Sequence, residues 1–256
     1  MTDQPIKSIY LARRNPRLER GRFAARWRRH GELALSLPFM NPCIGYFHND
    51  VAEHPPVAAD PYTGDLWSGD YDGVGVVMFP GGASLESLLT HPTFPILLAD
   101  EYGAFHELVE EFTTLNHERM IRWRIGTAAQ FFAFLRAKDG VSREEFARRW
   151  ELHLQHVMRS PALAEYVIQY SHNTPLASDE TGDADAATRE RLTIGSLTDV
   201  AGIAQVGFAS WSDMEAYLSH PDREAIRDDL AEFADLGRSV MVAANEVTMK
   251  ATALLR

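Results

Sequence analysis

Six of the ten histidines stand in three pairs at matching distances from shared landmarks: His30 with His153, His48 with His172, and His91 with His220. Imidazole gains and loses its proton near neutral pH, so buried paired imidazoles point to acid–base work. His30 closes the stretch FAARWRRH from Phe23, and His153 closes FARRWELH from Phe146. Phe, Trp and His fall at i, i+4 and i+7 in both, which is one stripe on one side of a helix. Phe23, Trp27 and His30 should therefore face inward together, as should Phe146, Trp150 and His153. His48 and His172 each end a Tyr-x-His-Asn run, with Tyr46 and Asn49 in the first copy and Tyr170 and Asn173 in the second. Alternation along a strand puts Tyr170 and His172 on the apolar face with Tyr166 and Ile168, the face expected beneath helices. Two pockets of imidazole, phenol and indole follow, suited to hold a flat organic molecule and to move protons on it. Core histidines bonded to backbone carbonyls would give the same pattern. His91 and His220 precede prolines and read as helix ends.

The elements that must position these residues can be read in order. Strands are expected at Ile6–Arg13, Cys43–Asn49, Gly73–Phe79 and Glu118–Ile125, and again at Ala128–Arg136, Tyr166–Asn173, Gly202–Phe208 and Val240–Met249. Helices are expected at Leu18–Leu35, from Ser84 to Thr90 and on to Phe112, at the segment capped by Ser142 with Glu145, and over Ser212–Leu236. Asp50–Asp72 is a long loop carrying Tyr62, Trp67 and Tyr71, in the place of a lid, and Thr174–Leu192 is a polar, acidic loop.

The same order thus occurs twice. An offset of 123 pairs Phe23, Trp27 and His30 with Phe146, Trp150 and His153; 124 pairs Tyr46, His48 and Asn49 with Tyr170, His172 and Asn173; and 129 pairs Gly73, His91 and Asn116 with Gly202, His220 and Asn245. Each unit reads β-α-β-β-α-β, the ferredoxin-like arrangement, so the expected fold class is α+β with units at 1–125 and 126–256.

Composition narrows the function classes. The net charge of −11 opposes binding to phosphate backbones or anionic membranes, and the basic stretch Arg13–Arg29 reads as a solvated helix face. No apolar run is long enough to span a bilayer and no secretory signal is visible, which suggests a cytoplasmic protein. The single cysteine, Cys43, excludes an intrachain disulfide and a Cys-rich zinc site, and reads as a small core residue. Pro80-Gly81-Gly82 lacks the Lys and Ser/Thr of a phosphate loop. His153 and His156 at i, i+3 could join a carboxylate on a metal, but no metal or cofactor is expected.

These residues resemble the EthD-type proteins of the dimeric α+β barrel superfamily. VSREEFARRWELH in the second unit and YDGVGVVMF in the first are the closest stretches. In that family's pattern the histidine comes four residues after the tryptophan, whereas both copies here place it three after. The resemblance implies two ferredoxin-like sheets joined into a barrel, here within one chain as a pseudo-dimer, with further homodimerisation left open. It also implies a cofactor-independent lyase, cyclase, decarboxylase or isomerase acting on a small hydrophobic, aromatic or polyketide-like carbonyl compound. His30, His48, His153, His172, Tyr46 and Tyr170 would be catalytic. Trp27, Trp150, Phe23, Phe146, Asn49 and Asn173 would bind substrate. A cofactor-free or haem-bound monooxygenase, and a non-catalytic barrel that binds a hydrophobic metabolite, are the alternatives.

Overall fold

The computed structural model describes residues 5–54, 67–80, 90–106, 113–176 and 199–251. Eight antiparallel strands close into a barrel: β1 (Ile6–Ala12), β2 (Gly45–Val51), β3 (Gly73–Phe79), β4 (Thr113–Arg122), β5 (Ala129–Arg136), β6 (Val167–Pro175), β7 (Val200–Phe208) and β8 (Val240–Ala251). Their order around the barrel is β1-β3-β2-β8-β5-β7-β6-β4, so the first four strands are contiguous, as are the last four. The halves meet at two seams, β2 with β8 and β4 with β6. Closure leaves no sheet edge open.

The registers of the halves coincide. Tyr10 pairs with Gly75 as Ala133 pairs with Ala204, and His48 pairs with Gly75 as His172 pairs with Ala204. On the fourth strand the registers match at an offset of 128, not 129: Glu118 lies beside Asn173 as Glu246 lies beside Asn49. The pairing of Asn116 with Asn245 is therefore a coincidence of residue type, because barrel hydrogen bonds fix a register that a short strand's letters do not.

Alternation along each strand divides two cores. Ile9, Leu11, Phe132 and Phe134 point into the barrel, whereas Tyr10, Ala12, Phe131, Ala133 and Leu135 point outward beneath helices. The outer layer contains α1 (Arg20–Ser36), α2 (Phe94–Ala104), α3 (Arg143–Arg159), α4 (Pro161–Tyr166), α5 (Trp211–Leu218) and α6 (Asp222–Ala231). Half of the capping box at α3 forms: Ser142 Oγ accepts from the Glu145 amide, while the Glu145 carboxylate turns to Arg148 and Arg149; Glu144 and Glu145 in the first turn and His156 and Arg159 in the last complement the dipole. Burial of Phe146, Trp150, His153, Leu154 and Val157 then fixes which way the helix faces.

Several expected boundaries move. Strand four begins at Thr113 rather than Glu118, and α2 ends at Ala104 rather than Phe112. Tyr166 ends α4 instead of starting a strand, because Ser160 and Pro161 open a further helical turn there. The helix expected from Ser84 and the residue Tyr62 lie outside the described residues. Trp67 does not cover the first half: it bridges to Met241, and its ring meets Phe131 edge-on at 6.4 Å. No helix is long and apolar enough to cross a membrane among the described residues.

One polar chain runs through the lumen. Lys7 Nζ donates to Glu118 Oε1 and Gln205 Oε1, each at 2.5 Å, Gln205 Nε2 donates to Gln130 Oε1 at 2.5 Å, and Gln130 Nε2 donates to Glu246 Oε2. It links β4, β1, β7, β5 and β8, tying both halves with donors and acceptors that water would otherwise satisfy.

Candidate functional site

The stripe and the strand meet as their spacing predicts. Trp27 stacks on His48 with ring centres 4.0 Å apart and planes 7° from parallel; Trp150 stacks on His172 at 3.9 Å and 11°. Two glycines make this approach available, since a β-carbon on Gly73 or Gly202 would overlap the Trp27 or Trp150 ring. Tyr46 and Tyr170 meet the same imidazoles edge-on. Phe23 packs against Trp27 and Phe105, and Phe146 against Trp150 and Phe233, as buried backing. Asn49 and Asn173 do not join the site. As neighbours of His48 and His172 they face the other side of the sheet, where their Nδ2 groups donate to Val74 O and Ile203 O.

His30 and His153 take partners that the sequence reading did not name. His30 Nδ1 bonds Asp100 Oδ2 at 2.8 Å, and His153 Nδ1 bonds Asp229 Oδ2 at 2.6 Å. The carboxylate accepts, so Nδ1 carries hydrogen and Nε2 keeps its lone pair. Asp100 and Asp229 stand 129 apart, the offset that relates Gly73 to Gly202, so a signal for them was present. Burial is the main cause that lowers the His153 pKa, with the Asp229 hydrogen bond opposing it, and His30 behaves alike.

The halves then diverge. Asp100 is already shared: Arg26 holds both its carboxylate oxygens, at 2.9 and 2.6 Å. Burial would raise the Asp100 pKa, yet the bonds from Arg26 and His30 outweigh it and leave it lowered. The equivalent Arg149 turns instead to Glu145, at 2.5 Å, and leaves Asp229 to the histidines, with His156 3.7 Å from its Oδ1. His48 Nδ1 lies 2.6 Å from Arg28 Nη1; because arginine can only donate, His48 Nδ1 accepts and its buried Nε2–H has no partner among the described residues. His172 Nε2 instead bonds Tyr170 Oη at 2.7 Å. Burial, followed by Arg28 and His30, pushes His48 down to about 2; burial, followed by His153 and Arg119, pushes His172 down to about 3. Both rings are neutral. Burial raises the Tyr170 phenol well above its ordinary value, so it remains a protonated donor.

Space separates the halves further. In the second, a cavity of about 50 Å³ lies between sheet and helices, with Trp150, His153, Tyr170 and Arg223 on its wall and Ala133 and Ala204 on its floor. In the first, Tyr10 stands where Ala133 stands, and its ring occupies the space over Gly75. Its hydroxyl accepts from Trp27 Nε1 at 3.3 Å and lies 3.4 Å from Tyr46 Oη. Trp150 Nε1 has no such partner among the described residues. Among the described residues, Tyr10 fills in the first half the volume that is a cavity in the second. The cavity holds a few waters or a small polar head group, not a fused ring system. It does not fit a porphyrin. Among the described residues, no group of three or more His, Cys, Asp or Glu side chains could hold a metal ion.

Comparison with known proteins places this geometry in context. A candidate monooxygenase from Fusobacterium nucleatum subsp. nucleatum shares the fold with a TM-score of 0.55 at 9% identity, over 98% of this chain and 94% of that one. A chlorite dismutase variant from Candidatus Nitrospira defluvii gives 0.52 at 7% identity, over 95% and 92%. Identities this low show the shared fold, that of the dimeric α+β barrel type, and nothing of the reaction. No curated protein matches the chain in sequence. The EthD domain family matches residues 138–237, the stretch that contains α3, β6, β7 and α6 with His153, Tyr170, His172, Arg223 and Asp229. Over residues 138–237 this chain is thus similar to EthD domains.

Proposed function

We propose that this chain is a cofactor-independent acid–base enzyme of the lyase, cyclase or isomerase kind, which moves a proton beside the carbonyl of a small hydrophobic compound in its second half. The observation that carries the reading is the His153–Asp229 pair at 2.6 Å on the wall of the cavity that Tyr170 shares. Asp229 fixes the imidazole so that Nε2, without a partner among the described residues, is the basic atom. A neutral imidazole with a lowered pKa is ready as a base at neutral pH. With the hydrogen of His172 on Nε2, the Tyr170 oxygen accepts it and the phenol's own hydrogen is free to meet a developing enolate. The surrounding Phe131, Leu135 and Val157 exclude water. His30, His48 and Tyr46 would then be the plugged, structural counterpart. The equal registers of the halves support reading 1–125 and 126–256 as two ferredoxin-like units joined as an intrachain pseudo-dimer.

The test needs no knowledge of the bond finally changed. Wild type and His153→Ala are incubated anaerobically in D2O with small ketones and 3-oxo acids, and exchange at the carbon beside the carbonyl is followed by NMR. Exchange by the wild type that falls at least about a hundredfold in the variant supports the reading. Equal exchange in both sinks it. Binding without exchange would make the cavity a carrier site, and turnover that requires oxygen would make the chain an oxygenase.

A further inference from the structure

The cavity wall carries a buried cation. Arg223 is 7% exposed, yet no carboxylate approaches it among the described residues. Its Nη1 donates to Tyr217 Oη at 2.9 Å, its guanidinium lies 4.7 Å from the Tyr217 ring centre, and its buried Nε has no partner among the described residues. One turn on, Arg227 also lines the cavity; its side chain is 41% exposed, its Nε is buried without a partner among the described residues, and its ion pair to Asp228 is loose at 3.9 Å. Leaving a guanidinium buried without a counter-charge is costly, and such a cost persists where the missing charge comes from a ligand. Structural necessity does not explain the pair. At the offset that relates α6 to α2, the first half has Phe94 and Leu98 in these places, and there Tyr10 fills the space.

We propose that Arg223 and Arg227 bind the carboxylate of a small oxo acid, holding its carbonyl carbon beside His153. The carboxylate part rests on the arginines; the oxo part rests on the acid–base reading. Geometry sets the size. The inner cavity of about 50 Å³ takes a carboxylate and the atoms next to it. Ile226 lines both this cavity and an outer groove of about 330 Å³ that carries His156 and Arg159. Two guanidiniums from one helix face suit a planar carboxylate, which accepts from both sides.

The probes are pyruvate and its uncharged analogue acetone, with binding followed through the arginine Nε–H and histidine ring resonances of the labelled full chain. Pyruvate should shift Arg223, Arg227 and His153 signals, bind at least tenfold more weakly to Arg223→Met, and outcompete acetone. Arg227→Gln, at a position whose side chain is 41% exposed, is the second variant should Arg223→Met fail to fold, and should weaken pyruvate at least threefold. Equal binding of pyruvate and acetone, pyruvate binding unchanged in the folded variants, or no pyruvate binding at all overturns the proposal. The underlying reading fails separately. Arginine-dependent binding with no deuterium exchange at pyruvate C3 leaves the anion site standing without the acid–base enzyme. Exchange on acetone that is undiminished in Arg223→Met leaves the enzyme standing without the anion site.

Discussion

Tyr10 and Ala133 hold equivalent register positions on β1 and β5, and the phenol of the first fills the volume that the methyl of the second leaves open. Tyr10 fits because Gly75 lies beneath it, where a β-carbon would overlap its ring. Gly75→Ala should therefore destabilise the protein by roughly 1–3 kcal/mol through overpacking. In a Tyr10→Ala background, which recreates the Ala133–Ala204 pair of the second half, the same change should cost at least about 1 kcal/mol less. Urea denaturation of the four proteins measures the coupling. Additive effects would show that Tyr10 does not occupy that space.

Gly202 lies under Trp150 as Gly73 lies under Trp27. Gly202→Ala must displace the indole from its stack on His172, and with it one wall of the cavity. Stability should fall by roughly 1–3 kcal/mol, with a change in near-ultraviolet circular dichroism and loss of any exchange activity. A variant with unchanged dichroism and activity would refute the role assigned to the stack.

Much of this was legible in the sequence because it depends on period. The Phe-Trp-His stripe at i, i+4, i+7 and the Tyr-x-His spacing each define a face, and two faces that both point inward must meet, as Trp150 and His172 do. The Ser142 cap was likewise local. Asp229 was within reach, since Asp100 lies at the offset already in use, but aspartates on polar helices are common and only contact singles one out. The difference between the halves was not legible. It depends on what a Tyr10 ring displaces across a strand pair and on Arg223 lacking a carboxylate, and both are facts of register and packing rather than spacing. Asn49 and Asn173 show the opposite error, where matched letters suggested a pocket but alternation turned them into the barrel.

Acid should destabilise the fold through the stacked imidazoles. His48 and His172 are held at about 2 and about 3 in the folded chain, against about 6.5 when unfolded. Because the folded values are depressed, nothing is lost above pH 6.5. As pH falls below 6.5 the unfolded chain takes up protons that the folded chain refuses, and stability declines until the folded values are reached. At pH 5 each ring should account for about 2 kcal/mol of lost stability. His172→Gln should flatten the dependence between pH 6 and 4.5 by close to one proton. An unchanged slope in the urea midpoint would mean that His172 is protonated in the fold.

Glu246 works in the opposite direction. Burial pushes its pKa up to about 7, with Lys7 pulling the other way. A raised folded value gives a contribution fully present below the unfolded value and lost as pH rises through 7. Glu246→Gln keeps an oxygen to accept from Gln130 and removes the charge. The variant should be more stable than wild type by roughly 1–3 kcal/mol at pH 8 and equal to it at pH 4.5. A variant less stable at pH 8 would show that the ionised carboxylate is a stabilising partner of the Lys7 chain.

The His153–Asp229 pair makes a prediction that separates orientation from charge. Asp229 raises the His153 pKa against the larger, lowering effect of burial, and it fixes hydrogen on Nδ1. Asp229→Asn removes the raising influence, so the acidic limb of any pH–rate profile should move to lower pH, because the base form then survives further into acid. The rate itself should fall at least about tenfold. An asparagine amide can donate to Nδ1 as readily as its oxygen can accept, and in the first arrangement the imidazole hydrogen moves to Nε2, which then points an N–H where a lone pair is needed. Nitrogen-15 spectra of the labelled histidine report the tautomer directly. A normal rate with the Nε2–H tautomer populated would show that His153 is not the base, whereas a slow rate with Nδ1–H retained would assign Asp229 an electrostatic role beyond holding the ring.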